Sequence, residues 1–369
     1  EITRSEGPIG PLRKPLALRH HPGAGRTSMK NTIRAAVIAA ALLPGVASAD
    51  EPLTLARWGS FHVGGREVVV SGQPIREVLL TPGGVPARVD PNGTYLMGGM
   101  YAQFMVPAPQ RGRVPMLFWH GGGLTGVTWE TTPDGREGWQ HFFLRRGWAT
   151  YVSDAVERGR AGWSQIPEQT GGQALTLTLD NPYERFRIGA GQGSYGRQEV
   201  LPGNQFPSDS ESYLNFMRQI VPRFTTTDAL ALDAYLALLD RVGPSVVVVH
   251  SQAGLFGWRA AQERPEAVRA LVLIEPAAVG DVAKVAALRN IPILMVYGDY
   301  IAGDSRWPTI RANGVRFAEA VRAAGGSVDV VDLPERGIRG NSHMIMMDRN
   351  SDAVAGLVQD WLVSKRLWE

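Results

Sequence analysis

The sequence predicts an α/β protein with a mostly parallel central sheet, helices on both faces and an inserted lid. Two observations favour this class. Short apolar runs such as Val246–Val249 alternate along the chain with segments of helical period such as Thr227–Arg241. Strands without polar positions are typical of parallel sheets covered by helices on both faces. Regular alternation of strands and helices indicates right-handed βαβ crossovers.

The first strands are predicted to be antiparallel. Val68–Leu80 and Tyr95–Val106 alternate apolar and polar residues and are separated by Gly, Pro and Asn turns. The pattern then changes to a short buried strand at Pro115–Trp119, an amphipathic helix at Gly138–Arg146 and a second buried strand at Trp148–Ser153. The sheet is therefore expected to begin as an antiparallel meander and to continue as parallel units.

Residues 163–224 interrupt the alternation. They are rich in Gly, Pro, Gln and Ser and carry scattered aromatic residues. A stretch of this length without clear strands is more often an insertion or lid than a linker. We expect a cap over 163–224, with a partly disordered loop as the alternative.

The C-terminal half resumes the alternation after a helix predicted from Leu255 to Glu263. The remaining elements are a strand at Arg269–Ile274, a helix at Asp281–Leu288, a strand at Ile291–Tyr297, a helix at Arg311–Ala324, a strand at Ser327–Leu333 and a helix at Ser351–Leu367. No internal repeat is visible. The 369 residues are 44% hydrophobic, which is enough for one large core.

The N-terminal segment has the pattern of a Sec-type signal peptide over residues 29–49. Lys30 and Arg34 precede an apolar run, and Ala47-Ser48-Ala49 is typical of a cleavage site. The apolar run is too short for a stable membrane anchor. We expect a bacterial secreted or periplasmic domain over 50–369 and an upstream segment over 1–28, with a flexible basic tail as the alternative.

Charge and cysteine content exclude two classes of function. Residues 1–49 hold seven Lys and Arg against two Asp and Glu, so the net charge of +3 for the whole chain leaves about −2 for the predicted domain. This balance does not favour a nucleic-acid surface. The chain has no cysteine, and therefore no disulfide or thiol chemistry. No His spacing typical of a metal site occurs in the domain.

A serine lies where a buried strand meets a helix. Val246–Val249 leads through His250 into Ser251. A strand, a sharp turn and a helix around a serine are the elements of a nucleophile elbow. Ala253 provides one of the small residues that the turn needs, whereas Val249 replaces the first glycine of the usual pattern. Ser251 is a candidate nucleophile, and a helix cap is the alternative.

A serine nucleophile needs a base and a group that orients the base. His343 is the only histidine after Ser251, and it follows the last predicted strand. Glu275 closes a buried strand, where an unpaired carboxylate would be costly. The sequence favours Glu275 as the acid over Asp299 or Asp304. A structural carboxylate bound to backbone amides or to an arginine is the alternative for Glu275.

A glycine run provides candidate donors for an oxyanion. Gly121, Gly122 and Gly123 follow the strand that ends at Trp119, and Gln252 follows the candidate nucleophile. Backbone N–H groups in such positions stabilise the negative charge that develops in acyl transfer. Gly122 and Gln252 are the expected donors, with Gly121 and Gly123 as further candidates.

Over residues 50–369 the chain resembles the α/β-hydrolase superfamily. The motifs His120-Gly-Gly-Gly-Leu-Thr-Gly126, Val249-His-Ser-Gln-Ala-Gly254, Ile274-Glu-Pro276 and Asn341-Ser-His343 resemble more narrowly those of secreted bacterial esterases of the esterase 713 type. The resemblance implies a Ser-His-Glu triad of Ser251, His343 and Glu275, with oxyanion donors at Gly122 and Gln252. Those esterases carry two adjacent cysteines in the oxyanion loop, where this chain has glycines.

The predicted function is serine carboxylic-ester hydrolysis through an acyl-enzyme. Lactone, amide or thioester hydrolysis on the same triad is the first alternative, and a non-catalytic binding protein with a hydrolase fold is the second. We expect a small-molecule ester substrate, no cofactor, no metal, no nucleic acid and no stable membrane anchor. A homodimer stays open.

Overall fold

A computed structural model describes residues 51–163, 166 and 171–369. The predicted upstream segment (1–28) and signal peptide (29–49) lie outside the described residues, as do 164, 165 and 167–170 of the predicted cap.

The described chain is built around one large sheet and a small hairpin. The strands are β1 Leu55–Val70, β2 Arg76–Val78, β3 Ala87–Val89, β4 Gly93–Pro107, β5 Met116–Trp119, β6 Thr150–Asp154, β7 Ser245–His250, β8 Val268–Ile274, β9 Pro292–Tyr297 and β10 Ser327–Asp332. Eight of them form the sheet in the order β1-β4-β6-β5-β7-β8-β9-β10, and β2 pairs with β3.

The direction of the strands changes once across the sheet. β1 pairs with β4 and β4 with β6 in antiparallel register, whereas every neighbour from β6 to β10 is parallel. This confirms the prediction of a mostly parallel sheet that begins as an antiparallel meander. The carboxyl ends of β5, β7, β8 and β9 therefore meet at one edge, where sites of open α/β sheets form.

Nine α-helices accompany the sheet in the described residues. They are α1 Val127–Glu130, α2 Trp139–Arg145, α3 Asp180–Arg185, α4 Ser194–Arg197, α5 Ser210–Met217, α6 Asp228–Val242, α7 Ala253–Glu263, α8 Trp307–Ala323 and α9 Ser351–Ser364. Among the helices that the structure describes, none combines the length and the apolar character needed to cross a bilayer.

The central strand β7 is buried along its whole length, and its side chains alternate between two apolar layers. Val247 and Val249 belong to the layer that includes α6, α7 and α8. Val246 and Val248 belong to the layer that includes α2, α9 and aromatic residues of the 171–224 region. Burial on both faces explains why the strand has no alternating polar residues.

The observed β1 is longer than the predicted strand, which began at Val68. Pairing with β4 continues back to Leu55, across Gly64 and Gly65. Gly64 has a φ of 71°, and a Cβ atom there would lie 3.1 Å from Cα of Ala234 in α6. The glycines that obscure the strand pattern are thus needed for close packing of helix and sheet.

Two predicted helices also differ from the structure. The segment predicted as a helix from Asp281 is a 3₁₀-helix at Val282–Leu288, and Asp281 accepts a hydrogen bond from the N–H of Ala283 at its start. The helix predicted from Arg311 begins at Trp307. Asp304 Oδ1 accepts the N–H of Trp307, so this carboxylate starts the helix one turn early.

The region 171–224 contains the short helices α3, α4 and α5. Its aromatic side chains form a cluster, in which the ring centroids of Tyr183 and Tyr213 are 4.9 Å apart and those of Phe206 and Phe216 are 5.3 Å apart. These four residues are buried in the same apolar layer as β5 and β9. This packing anchors the region to the sheet beside the carboxyl ends of the strands.

Candidate active site

Ser251 lies in a sharp turn between β7 and α7. Its φ is 54°, in the left-handed region that only glycine adopts without cost. Its N–H donates to the carbonyl of Ile274 at 3.1 Å, and its own carbonyl accepts from Gly254 at 2.9 Å and Ala277 at 3.0 Å. Three backbone hydrogen bonds therefore hold the strained turn and present the hydroxyl at the sheet edge.

The valine at position 249 is accommodated by Gly257 on α7. A Cβ atom at Gly257 would lie 3.0 Å from a methyl carbon of Val249, and one at Gly254 would lie 2.6 Å from Cβ of Pro276. Gly257 thus allows α7 to pack closely against β7, whereas Gly254 allows it to pack against the loop that follows β8. This explains how the turn forms although the first glycine of the usual elbow pattern is missing.

His343 connects the serine to a carboxylate. Its Nε2 lies 2.9 Å from Oγ of Ser251, and its Nδ1 lies 2.5 Å from Oε2 of Glu275. The carboxylate accepts the Nδ1–H, so Nε2 is left to accept the serine proton. The imidazole is buried, with 2% of its residue surface exposed.

The loop that carries His343 is held on several sides. The N–H of His343 donates to the carbonyl of Phe186, and its carbonyl accepts from Nε2 of His250 at 2.9 Å. Its ring contacts Phe186 and Trp307 at centroid distances of 4.9 and 4.8 Å. Burial lowers the pKa of His343 below its usual 6.5, although Glu275 acts in the opposite direction.

Glu275 is completely buried and uses both carboxylate oxygens. Oε2 accepts from His343, while Oε1 accepts from the N–H of Gly298 at 2.7 Å and from the guanidinium of Arg187. Burial raises the pKa of Glu275, but Arg187 and His343 outweigh it, so the net pKa lies below the ordinary value. Glu275 therefore makes both kinds of contact that the sequence analysis considered. It accepts from the imidazole, as the acid beside a histidine base would, and it is also bound by a backbone amide and an arginine, as a structural carboxylate would be.

Arg187 was not identified from the sequence. Its side chain is 2% exposed, and its Nε donates to the carbonyl of Asp299 at 2.8 Å. Its guanidinium also lies 5.0 Å from the ring centroid of Trp307. The only sequence signal is an arginine between the apolar residues Phe186 and Ile188, in a region without clear periodicity.

The other two candidate acids do not contact His343. Asp299 accepts from the N–H of Tyr300 at 2.8 Å and of Gly340 at 2.9 Å, so it supports the start of the histidine loop. Asp304 accepts the N–H groups at the start of α8. Of the three carboxylates considered, Glu275 is the one that the fold brings to the imidazole.

The glycine loop after β5 is held by buried polar groups. His120 donates from Nδ1 to the carbonyl of Gly121 at 2.8 Å, and its Nε2 accepts the N–H of Ala155 at 3.1 Å. Burial lowers the pKa of His120 to about 4, so this ring is neutral at neutral pH. Asp154 accepts the N–H of Gly126 at 2.6 Å at the far end of the loop.

The loop lies directly against the serine turn. A Cβ atom at Gly121 would be 3.1 Å from Cβ of Ser251, and one at Gly122 would be 2.8 Å from Oε1 of Gln252. The N–H groups of Gly122 and Gln252 make no hydrogen bond within the described part of the chain. Gly123 has a φ of 73°, and its carbonyl accepts the N–H of Val221 at 2.9 Å.

Ser251 opens into a pocket of about 310 Å³. Gly122, Gly123 and Gln252 line it on the side of the glycine loop. The 171–224 region contributes both apolar and basic groups to the lining, and these are Leu175, Leu177, Arg185, Phe186 and Arg223. Within the residues that the structure describes, no group of His, Asp and Glu is arranged as metal ligands.

The fold and this site define the class of protein. A strained serine between a strand and a helix, with a histidine and a carboxylate on later loops of a parallel sheet, is the arrangement of the α/β-hydrolases. The observed strand order and the antiparallel start of the sheet belong to the same class.

Two comparisons narrow the class. A solved structure described as a novel bacterial esterase is 32% identical and superposes with a TM-score of 0.75, covering 85% of this chain and 98% of its own. The probable secreted lipase phiG of Fungal sp. (strain ATCC 74256) is 27% identical in an alignment of 326 residues that covers 73% of this chain and 88% of the lipase. No protein-family model matches the chain. The chain belongs to the α/β-hydrolase esterase family of this bacterial enzyme and is a carboxylesterase-type hydrolase.

Proposed function

We propose that the protein hydrolyses carboxylic esters through an acyl-enzyme, with Ser251, His343 and Glu275 as a catalytic triad. The observation that supports this most directly is the continuous hydrogen-bonded chain from Ser251 Oγ through His343 to Glu275. The ester-hydrolysing relatives support the reaction class.

In the proposed first step, Ser251 Oγ attacks the ester carbonyl while His343 Nε2 takes the hydroxyl proton. The tetrahedral intermediate collapses, the alcohol leaves with the proton from His343, and the acyl group stays on Ser251. Water then attacks the acyl-enzyme with His343 again as base, and the carboxylic acid is released. Glu275 holds the imidazole in the Nδ1–H tautomer and stabilises the imidazolium in both steps.

The N–H groups of Gly122 and Gln252 are the proposed oxyanion donors. Two facts support this role: both residues line the pocket beside Ser251, and neither N–H is used by the described protein. Gln252 also precedes α7, so its N–H belongs to the positive end of that helix. Donors of this kind typically contribute on the order of 100- to 1000-fold in rate.

The nucleophile can be tested by substitution and labelling. Ser251→Ala should lower p-nitrophenyl ester turnover by at least about 1000-fold and abolish labelling by a fluorophosphonate. Ser364→Ala is the matched control, because this exposed serine on α9 donates only to the carbonyl of Trp361. Labelling that persists in Ser251→Ala would exclude the proposed nucleophile.

The acid can be tested by comparing two isosteric changes. Glu275→Gln should lower kcat far more than Asp299→Asn, because only Glu275 contacts the imidazole. The reverse ranking in steady-state kinetics would contradict the assignment. Including lactones, amides and thioesters in the same assays determines whether the triad prefers another acyl substrate.

We also propose that residues 29–49 direct export. The Ala47-Ser48-Ala49 motif and the secreted relative support this. Expression of the full chain in a bacterial host should give an exported protein whose N-terminus lies near Asp50, as measured by N-terminal sequencing. An exported protein that retains residues 29–49, or no export, would contradict the proposal.

A further inference from the structure

Three arginines surround the pocket into which Ser251 opens. Arg185 is the last residue of α3, Arg223 lies near the end of the 171–224 region, and Arg306 precedes α8. Arg223 is half-buried, whereas Arg185 and Arg306 are exposed at the mouth. Segments distant in sequence thus bring three positive charges to one cavity.

These guanidinium groups have few partners. Arg223 and Arg306 make no side-chain hydrogen bond and no ion pair within the described part of the chain. Arg185 donates only to the side-chain amide oxygen of Asn181, at 3.2 Å. Burial lowers the pKa of Arg185, and the positive charges of Arg306 and Arg223 act in the same direction, whereas Asp304 acts against them.

Arg223 is the deepest of the three and lies next to the glycine loop. A Cβ atom at Gly122 would be 2.9 Å from one of its terminal nitrogens and 3.2 Å from its central carbon. A guanidinium therefore lies beside one of the proposed oxyanion donors. It is placed to contact a substrate whose carbonyl occupies that site.

One carboxylate, Asp228, lines the same pocket, and Oδ1 accepts from the side-chain amide of Gln252 at 3.0 Å. It forms no ion pair with an arginine of the pocket. Asp304 also acts on Arg185 through its charge, but it uses Oδ1 for backbone N–H groups at the start of α8. The lining is otherwise mostly small or apolar, so the pocket keeps an excess of positive charge.

We propose that this pocket selects esters that carry a second, anionic group, such as the half-ester of a dicarboxylic acid, which Arg223 binds together with Arg185 and Arg306. The proposal rests on the proposed function of Ser251. Guanidinium groups are suited to this task because their planar donors match a carboxylate and remain charged at every working pH. The apolar wall would contact the methylene groups between the ester and the anion.

The test compares pairs of esters that differ in charge. On the acyl side, p-nitrophenyl hemiglutarate is compared with p-nitrophenyl valerate, in which a methyl group replaces the carboxylate. On the alcohol side, para-acetoxybenzoate is compared with its methyl ester. Parallel reactions with Ser251→Ala protein correct for spontaneous hydrolysis assisted by the neighbouring carboxylate.

In at least one pair, the anionic ester should have a kcat/KM about tenfold higher than that of its neutral partner. The pair in which this preference occurs identifies whether the acyl or the alcohol side of the ester carries the charge. The preference should decrease as salt is added, because two of the arginines are exposed. In a variant that combines Arg185→Gln, Arg223→Gln and Arg306→Gln, the ratio of anionic to neutral turnover should fall to about one. Arg269→Gln, which removes an exposed charge at the opposite end of β8, should leave the ratio unchanged.

Three results would overturn the inference. The first is equal turnover of both members in both pairs. The second is a preference that survives the loss of all three arginines. The third is a loss that affects anionic and neutral esters equally, since this would assign Arg223 to the oxyanion and not to substrate choice. Ser251-dependent hydrolysis of the neutral esters would leave the proposed function intact in each case, whereas no hydrolysis of any ester would overturn both.

Discussion

Replacing Arg187 by methionine tests the buried charge network behind the proposed triad. The change keeps an unbranched apolar stem of similar length and removes the guanidinium that contacts Glu275. It leaves the carboxylate with the N–H of Gly298 and with His343. The variant therefore isolates the contribution of one buried positive charge.

The burial of the pair determines the magnitude. The side chains of Arg187 and Glu275 are 2% and 0% exposed, so water cannot replace the lost partner. Removing one member of a buried ion pair typically costs about 3–5 kcal/mol. Because Glu275 retains two donors, we expect the free energy of unfolding to fall by the lower part of this range, about 3 to 4 kcal/mol. This loss includes the hydrogen bond from Arg187 to the carbonyl of Asp299.

The variant should also change the pH dependence of the reaction. The charge of Arg187 lowers the pKa of His343, so its removal raises that pKa. The proposed base then becomes protonated at a higher pH, and the acidic limb of the kcat/KM profile moves upward. A residue with a purely structural role would lower stability without this shift.

Urea unfolding and a pH-rate profile measure the two effects. Arg264→Met is the control, because its ion pair with Asp240 is 36% and 53% exposed, so that water screens the two charges and replaces the lost partner. Equal losses of unfolding free energy in the two variants would refute the reasoning on burial. An acidic limb that stays in place in Arg187→Met would refute the reasoning on His343.

Three further predictions concern single groups. Burial lowers the pKa of His343 below 6.5, so the imidazole stays neutral below that pH and esterase activity should be retained there. An acidic limb of the kcat/KM profile at or above pH 6.5 would contradict this. Gly254→Ala places a Cβ atom 2.6 Å from that of Pro276, so it should lower the free energy of unfolding by about 1–3 kcal/mol and lower Tm. Gly356→Ala is the control, because a Cβ atom there meets no atom within 4 Å and Tm should not fall. Equal Tm values in the two variants would exclude the packing argument. Burial raises the pKa of Asp348 from 3.8 to about 7, so the folded state holds a proton that the unfolded state releases, and stability falls as pH rises through this window. Asp348→Asn should flatten that part of the urea-derived stability curve, and an unchanged slope would argue against it.

Several parts of the fold could be predicted because local patterns and global structure agree. The valines of β7 have no polar neighbours because helices cover both faces of the sheet, so the run itself indicates a central parallel strand. The antiparallel start was visible from period-two alternation in β4. The same alternation does not reveal residues 55–67 of β1, where Gly64 and Gly65 interrupt the pattern and only pairing with β4 defines the strand.

The candidate site could be predicted where chain order carries information. A serine directly after a buried strand is a candidate nucleophile, and a single later histidine is the candidate base. Chain order is informative here because the order of the strands determines which loops lie at the same edge of the sheet. Chain order alone does not separate Glu275 from Asp299, since both follow strands that end at that edge. Their side chains differ in what they contact, and neither contact is encoded in local sequence.

The sequence by itself therefore determined the layered α/β architecture, the serine turn and the identity of the histidine, because periodicity and chain order are local properties. Tertiary structure alone decided that Glu275 contacts His343, that Arg187 balances its charge and that Arg185, Arg223 and Arg306 meet at one pocket. These contacts join residues far apart in the chain. Their energies depend on burial and on distance, which arise only when the segments pack together.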